Sequence, residues 1–144
     1  MTNFLDARTS QNASFSNSIA IPVVAGGTPD IFGQIGLLVQ QANNPIRVQL
    51  SGTVTLQLPL LPVATTITIR IVRGTTLNDL LVFSTSQVLD VSILGPQLFT
   101  FTASDFNVTK PQSGPLIYTA FISSNILGTI RVGPESFNAN AYSD

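Results

Sequence analysis

The clearest alternation of apolar and polar side chains lies in the stretch IRVQLSGTVTLQL, between Ile46 and Leu58. One parity of this stretch is polar, and the other carries aliphatic side chains: Ile46, Val48, Leu50, Val54, Leu56 and Leu58. A period of two predicts an antiparallel strand with one buried face. Gly52 interrupts the aliphatic parity, which predicts a bulge or the close approach of another part of the backbone.

A second strand of the same kind is predicted in TTITIRIV, which ends at Arg73 and Gly74. Its two parities are three isoleucines and three polar residues, namely Ile67, Ile69 and Ile71 against Thr66, Thr68 and Arg70. Further strands are predicted at 80–85, 87–93, 97–103, 116–123 and 128–132, the last with a continuation through 137–142. Gly-Pro, Lys-Pro or polar clusters separate most of these segments.

No segment shows apolar residues at helical spacing over several turns, and threonine and β-branched residues are frequent. The stretch DIFGQIGLLVQQ is ambiguous between strand and helix, and its two glycines favour a strand with a bend. Eight or more short strands predict an all-β, antiparallel β-sandwich, with a jelly roll favoured over an immunoglobulin-like arrangement. We expect residues 1–27 to form an extended N-terminal arm and residues 28–144 to form the jelly-roll domain.

The opening segment ASFSNSIAIPVVAGG has a strand-like pattern and ends in two glycines. One parity can be buried, through the side chains Phe15, Ile19, Ile21 and Val23. Pro22 has no N–H, so this strand should lie at a sheet edge or leave the ladder there. Two interpretations stay open. The segment is the first strand of its own sandwich, or it is donated to a neighbouring subunit, with Gly26 and Gly27 as the hinge and the residues before Ser14 as a flexible lead.

Charge is scarce in this chain of 144 residues, since 9% of the residues are charged, the formal net charge is −1 and the mean hydropathy is +0.38. A free surface normally carries many more charges, so we expect much of this surface to be covered by copies of the same chain. The basic residues are scattered rather than clustered, which argues against a nucleic-acid partner: Arg8, Arg47, Arg70, Arg73, Lys110 and Arg131.

The chain contains neither histidine nor cysteine, which removes the usual general base, the activated thiol and disulfide cross-links. Any catalysis would have to use carboxylates, of which there are seven: Asp6, Asp30, Asp79, Asp90, Asp105, Glu135 and Asp144. Asp79 and Asp90 could form a glycosidase-like pair across a sandwich, although turn and loop roles are favoured for all seven. We predict no enzyme activity, no cofactor and no metal site.

Three other features of the sequence have simpler interpretations beside a functional one. Phe83, Phe99, Phe101, Phe106, Tyr118 and Phe121 could stack on ligands, but their place in apolar strands favours the core. TTLNDL and FTASDFNV are interpreted as polar loops that could contact ligands. The triplets at Asn12 and Asn107 fit the glycosylation pattern and carry little weight in a chain rich in Asn, Ser and Thr. No apolar run has the length of a membrane-spanning helix, and the first residues do not resemble a secretory signal, so we expect no membrane insertion.

The strings TITIRIVRGTT, GPLIYTAFISS and GTIRVGPESFNANAYSD resemble the last strands of trimeric jelly-roll domains related to tumour necrosis factor and complement. The bacterial versions on Bacillus-type spore surfaces are the most similar in composition, because they are also rich in Thr, Ile, Val and Asn and poor in charge. This resemblance covers Asn44 to Asp144. The N-terminal arm is similar in layout to the connectors of spore appendage fibre subunits, although the cysteines that cross-link those connectors are missing here. The resemblance implies a spore or cell-surface location and other surface proteins as partners.

These observations predict a structural, self-assembling surface protein, either a homotrimer or a fibre subunit joined by strand donation. A ligand- or glycan-binding jelly roll at the tip of a fibre is the alternative, and a carboxylate glycosidase is a third interpretation. A viral coat or decoration role also stays open, because jelly rolls serve in capsids.

Overall fold

A computed structural model describes residues 1–43 and 45–144 of the chain. Asn44, the first residue of the region that resembles spore-surface proteins, lies outside the described residues. Ten strands are present in the described part: β1 (Asn3–Ala13), β2 (Ile21–Pro22), β3 (Asp30–Leu37), β4 (Ile46–Gln57), β5 (Thr66–Arg73), β6 (Leu80–Val88), β7 (Gln97–Val108), β8 (Leu116–Ser124), β9 (Ile130–Arg131) and β10 (Glu135–Ser143). No helix occurs among these residues, so none is present that could cross a membrane.

The strands form two antiparallel sheets that pack face to face. In the first sheet, here called sheet A, the long strands have the order β1-β10-β4-β7. The short β9 pairs with β4 beyond the end of β10, and the short β2 pairs with β9. The second sheet, sheet B, has the order β3-β8-β5-β6. The chain crosses repeatedly between the sheets, so that each sheet interleaves early and late strands. This arrangement is the jelly-roll sandwich that the spacing of short strands predicted.

The core between the sheets follows the predicted parities. The isoleucines of β5 and the aliphatic residues of β4 are buried, and Ile67, Ile69 and Ile71 have no exposed surface. Gly52 does allow a close approach, because a Cβ there would collide with the ring of Phe101 and lie 2.8 Å from the carbonyl oxygen of Ser136. The ambiguous DIFGQIGLLVQQ segment forms β3, with a register shift between Ile31 and Gly33 that provides the expected bend.

Strand boundaries differ from the predicted ones in the second half of the chain. The segments predicted at 80–85 and 87–93 are one strand, β6, followed by a loop that begins at Leu89. The FTASDFNV segment is not a loop but the second half of β7, because it pairs with β4 along its length. Its polar residues alternate with buried ones, so they mark an outer face rather than a connection.

The opening segment departs most from the prediction. Residues before Ser14 are not a flexible lead, because β1 pairs with β10 along the edge of sheet A. The strand-like pattern after Ser14 is interrupted by a turn, in which the Ser18 hydroxyl donates to the Phe15 carbonyl (2.6 Å) and Asn17 has a φ of 58°. Serine and asparagine make such local hydrogen bonds at the expense of a ladder. Only Ile21 and Pro22 remain as β2, at the sheet edge expected for a proline.

Candidate functional site

The central part of the outer face of sheet A carries a grid of uncharged side chains, all of them polar except Ala7. Cross-strand partners align in rows that run from β1 through β10 and β4 to β7. The central rows are Thr9, Asn138, Ser51 and Thr102, then Ala7, Asn140, Gln49 and Ser104, with Ser136, Thr53 and Thr100 beyond them. The Thr9 hydroxyl donates to the Asn138 side-chain oxygen at 2.9 Å. We call these rows the polar face.

A shallow depression lies at the centre of the polar face. Its volume is about 450 Å³, and its polar lining comes from three strands: Gln49, Ser51, Thr102, Ser104, Asn138 and Asn140. These side chains offer amide and hydroxyl groups, which both donate and accept hydrogen bonds. The depression can therefore bind a polar, uncharged surface without burying a charge.

An aromatic group closes one end of the polar face. The Phe4 and Tyr142 rings meet edge to face with centroids 5.9 Å apart, and the Arg47 guanidinium carbon lies 5.8 Å from the Tyr142 centroid. Phe106, which follows Ser104 on β7, is 74% exposed. Arg47, which pairs with Tyr142 across β4 and β10, lies at the end of the polar face rather than in its rows, and it also forms an ion pair with Asp144 at 3.5 Å. Aromatic residues and arginine are the types enriched in the centres of protein interfaces.

A polar clamp joins the two sheets beneath this end. Arg73 of β5 donates two hydrogen bonds to the carboxylate of Asp105 on β7, each of 2.8 Å. The hydroxyl of the fully buried Tyr118, on β8, donates to the same carboxylate at 2.7 Å. Burial, followed by the hydrogen bond to Asp105, raises the pKa of Tyr118 well above its usual value. The clamp fixes β7 against sheet B and so holds one side of the polar face.

Alkaline conditions should expose the role of Tyr118. Because its pKa is raised in the folded state, its contribution to stability is complete below the unfolded pKa of about 10 and is lost as pH rises above that value. We expect Tyr118→Phe to lower the free energy of unfolding by about 1.5–3 kcal/mol at neutral pH, the value of a hydrogen bond to a charged group. Above pH 10 the variant should lose less further stability than wild type does. Urea unfolding between pH 8 and 11 measures both effects. Tyr142→Phe is the matched control, and equal slopes for wild type and Tyr118→Phe above pH 10 would contradict the prediction.

A second buried ion pair lies near the opposite end of sheet A. Arg131 on β9 and Glu135 on β10 form a two-pronged pair, with Nε to Oε2 at 3.0 Å and a second, shorter contact from Nη2 to Oε1. The side-chain amide of Asn12, on β1, donates to Glu135 at 2.9 Å and also to the Phe32 carbonyl on β3. The pair therefore ties β1, β9 and β10 to sheet B.

The predicted contact residues of the N-terminal arm do not share one environment. Val23 is buried in the core, Ile19 is half-buried, Ile21 is 38% exposed and Phe15 is 75% exposed. Within the described chain the segment pairs with the same chain, since the Ile19 N–H donates to the Val132 carbonyl and the Val23 N–H donates to Thr129. The role of these four residues in a subunit contact stays a prediction.

The two predicted hinge glycines lie where the chain crosses from sheet A to sheet B. Ala25 makes an isolated bridge to Ser124 of β8, and the chain then turns at Gly26 and Gly27 before β3. Gly26 has a φ of +71°, a conformation that favours glycine. These positions serve the crossover, and a hinge role stays a prediction.

The carboxylates are not arranged as a glycosidase pair at the predicted positions. Asp79 precedes β6 and Asp90 follows it, so a strand of nine residues separates them. Asp79 accepts hydrogen bonds from the N–H groups of Thr75 and Thr76, and Asp90 accepts two from Ser92, so both stabilise turns. Among the described residues, no three His, Cys, Asp or Glu side chains come together as a group that could hold a metal ion.

The aromatic residues and the glycosylation triplets occupy different environments. Four of the aromatic side chains are buried, as predicted (Phe99, Phe101, Tyr118 and Phe121), while Phe83 is half-buried and Phe106 is exposed. Asn12 uses its amide nitrogen in the Glu135 cluster, so a glycan there would break that hydrogen bond. Asn107 is exposed and has a φ of 59°.

The sequence prediction found only part of the polar face. The polar parities of the two clearest predicted strands lie on outer faces, apart from the buried Thr55, but on opposite sides of the sandwich because β4 is in sheet A and β5 in sheet B. The asparagines of β10 were missed. The alternation in SFNANAY, with Asn138 and Asn140 on one parity, was the available signal.

Two solved structures share this fold over nearly the whole chain. A chain in the structure of the infectious bursal disease virus Gt strain aligns with a TM-score of 0.54 and 10% identity, covering 95% of this chain and 36% of that one. A dimeric latent PorU from Porphyromonas gingivalis aligns with a TM-score of 0.55 and 10% identity, covering 99% of this chain and 13% of that one. No protein-family model and no curated protein matches the sequence.

At this identity the likeness concerns the fold. The jelly-roll part of the tumour necrosis factor and complement resemblance is confirmed, whereas membership of that group is not supported by either structure. The chain spans much less than two thirds of both matched chains, so their wider architecture does not transfer to it. The chain is an antiparallel jelly-roll sandwich with one uncharged polar face.

Proposed function

We propose that this protein is a structural subunit that assembles with copies of itself through the polar face. The observation that carries the proposal is the absence of charge across the aligned rows of β1, β10, β4 and β7 described above. A solvent-facing sheet normally carries lysine and glutamate, whereas interface centres are depleted in them. The aromatic group of Phe4, Tyr142 and Phe106 supplies apolar anchors at the end of the same surface.

Charge placed on the polar face should prevent assembly. We expect the double variant Gln49→Glu and Thr102→Glu to weaken self-association by about 100-fold or more, because unpaired like charges in an interface cost several kcal/mol. Light scattering after size-exclusion chromatography measures the oligomeric mass.

The matched control places two glutamates on the outer face of sheet B, at the exposed Ser84 and Ser86 of β6. The proposal is wrong if wild type is a monomer, or if both double variants have the same mass as wild type.

A more specific form of the proposal is a fibre or appendage subunit on a bacterial spore or cell surface. It is supported by the amino-acid composition that the chain shares with spore-surface jelly rolls. It is also supported by the position of β1 at the edge of sheet A, where an arm can be exchanged between subunits. In that form, Phe15, Ile19, Ile21 and Val23 would dock in a neighbour, and other surface proteins would be further partners. The absence of cysteine excludes disulfide bonds at every such junction.

Glycan binding is the second candidate function, and the depression on the polar face favours it. Its amide and hydroxyl lining matches the hydroxyl groups of a sugar. A glycan array with the full chain, repeated with Asn138→Ala, separates the two functions. The binding module would be favoured over the assembly subunit by two results together. The chain would bind a specific sugar and lose that binding in Asn138→Ala, and its oligomeric mass would not change when charge is placed on the polar face.

A further inference from the structure

Three loops at one end of the sandwich expose aliphatic side chains almost completely. Leu60 and Leu61, between β4 and β5, are 98% and 89% exposed, Leu94 between β6 and β7 is 88% exposed, and Leu127 between β8 and β9 is 73% exposed. We call these four leucines the apolar tip. A large exposed apolar patch marks an interaction surface rather than a free one.

The loops of the tip are held together by specific contacts. The Gln57 side chain donates to the Leu94 carbonyl at 2.7 Å, which links the first loop to the second. The Asn125 side chain accepts the Thr66 N–H at 2.8 Å, which links the first loop to the third. Pro59 and Pro62 flank the leucine pair and restrict its backbone. The leucines are therefore presented in a fixed arrangement, and docking them costs little conformational entropy.

The opposite end of the molecule carries a depression whose lining is half apolar and half polar. It has a volume of about 280 Å³ and is formed where the β3–β4 and β7–β8 connections meet: Ala42, Asn43, Pro45, Val108, Thr109 and Lys110. We call it the basal depression. Gln40 ties its two walls, because its side-chain amide donates to the carbonyls of Pro111 (3.1 Å) and Gly114 (2.9 Å).

One charged side chain of opposite sign lies beside each of these two surfaces. Asp90 is the one charged residue in the three loops of the tip, and hydrogen bonds from the Ser92 hydroxyl and N–H lower its pKa. Lys110, the single lysine of the chain, lies at the rim of the basal depression and donates to the Gln40 carbonyl at 2.9 Å. An acid beside the apolar tip and a base beside the depression favour contact between unlike ends over contact between like ends.

We infer that the apolar tip of one subunit docks in the basal depression of a second copy, so that subunits join head to tail. This inference rests on the proposed function, because it adds a second contact to subunits that assemble through the polar face. A head-to-tail contact does not close on itself unless its rotation permits a ring, and otherwise it produces a fibre. β4 has 12 residues and runs from the depression to the tip, so this strand alone spans about 40 Å and the axial repeat should be at least that long.

The test uses three variants of the full chain. The tip variant carries Leu60→Glu and Leu61→Glu, the basal variant carries Asn43→Glu and Thr109→Glu, and the control carries Ser84→Glu and Ser86→Glu. All six positions are exposed, so the fold should be retained, which circular dichroism checks. Negative-stain electron microscopy measures fibre length, and analytical ultracentrifugation measures mass.

We expect fibres from wild type and the control, and none from the tip or basal variant. Loss of two buried leucines should weaken the junction by about 100-fold or more, at about tenfold or more for each. Both variants should keep the mass of the discrete oligomer formed through the polar face. Mixing them should restore contacts between the two variants and raise the mass above that of either variant alone.

Several results would overturn the inference. Fibres from the tip variant would assign the junction elsewhere, for example to strand donation. Loss of fibres in the tip variant alone would indicate contact between like ends. Unchanged fibres combined with lost sedimentation on phosphatidylcholine vesicles would make the tip a membrane contact. A wild type that forms discrete oligomers without fibres overturns this inference alone, whereas a monomeric wild type overturns the proposed function as well.

Discussion

Replacement of Arg131 by leucine is expected to lower the free energy of unfolding by about 3–5 kcal/mol, because it leaves the carboxylate of Glu135 buried without its ion-pair partner. The Glu135 side chain has no exposed surface, and the Arg131 side chain is 4% exposed. Asn12 keeps one hydrogen bond to Glu135 but cannot neutralise its charge. Urea unfolding at neutral pH measures the loss.

The same chain provides two controls for this substitution. Arg8 pairs with Asp6 at 3.0 Å, but its side chain is 49% exposed, so Arg8→Leu should cost no more than about 1 kcal/mol. The double variant Arg131→Leu with Glu135→Leu should recover much of the loss, since apolar replacement of a whole buried pair is often tolerated. An Arg131→Leu variant no less stable than Arg8→Leu would show that the pair does not stabilise the fold.

Deletion of residues 1–25 is expected to abolish cooperative folding of the isolated chain. The deletion removes all of β1 and β2, and with them the ladder along β10, the core side chain of Val23 and the amide of Asn12 at the buried ion pair. The edge of β10 would then be open to pairing with other chains. Circular dichroism during thermal unfolding tests this result, with a chain lacking only Met1 and Thr2, which precede β1, as the control.

The deletion also tests whether a separate chain can supply the arm, which strand donation requires. If it can, a synthetic peptide of residues 1–25 should restore folding of the truncated chain, and negative-stain microscopy should show short discrete particles. Folded particles from the truncated chain without the peptide would contradict the expected unfolding and would indicate that the sandwich is complete without its N-terminal strands. An unfolded chain that the peptide does not restore would argue against donation.

The all-β class and the jelly-roll sandwich could be predicted because they depend on local pattern. A period of two marks each strand wherever one face is buried, and Ile67, Ile69 and Ile71 illustrate this. Glycine and proline mark the turns between strands. Boundaries were less predictable where polar residues continue a strand, as in the second half of β7, because polar side chains on an outer face and in a loop give the same sequence signal.

The N-terminal region shows the limit of local pattern most clearly. The alternation from Phe15 to Val23 predicted a strand, whereas the strand lies earlier, at Asn3–Ala13. An edge strand is stabilised mainly by the ladder it joins. The partner of β1 is β10, which lies at the other end of the chain, so the residues around Asn3 do not indicate this pairing. Because β1 already occupies the edge of β10, residues 15–18 have no ladder to join there. They form a turn instead, which is closed by the local hydrogen bond from Ser18 to Phe15.

The sequence by itself determined the period of the strands, the absence of histidine and cysteine chemistry and the low charge of the surface, since these are properties of neighbouring residues or of composition. Only the tertiary structure decided which residues meet across the fold. Asp105 meets Arg73 and Tyr118, four strands align into the polar face, and the leucines of three loops gather at one end. Each of these sets joins positions from distant parts of the chain, and their meeting depends on sheet order and register, which arise from packing of the whole core.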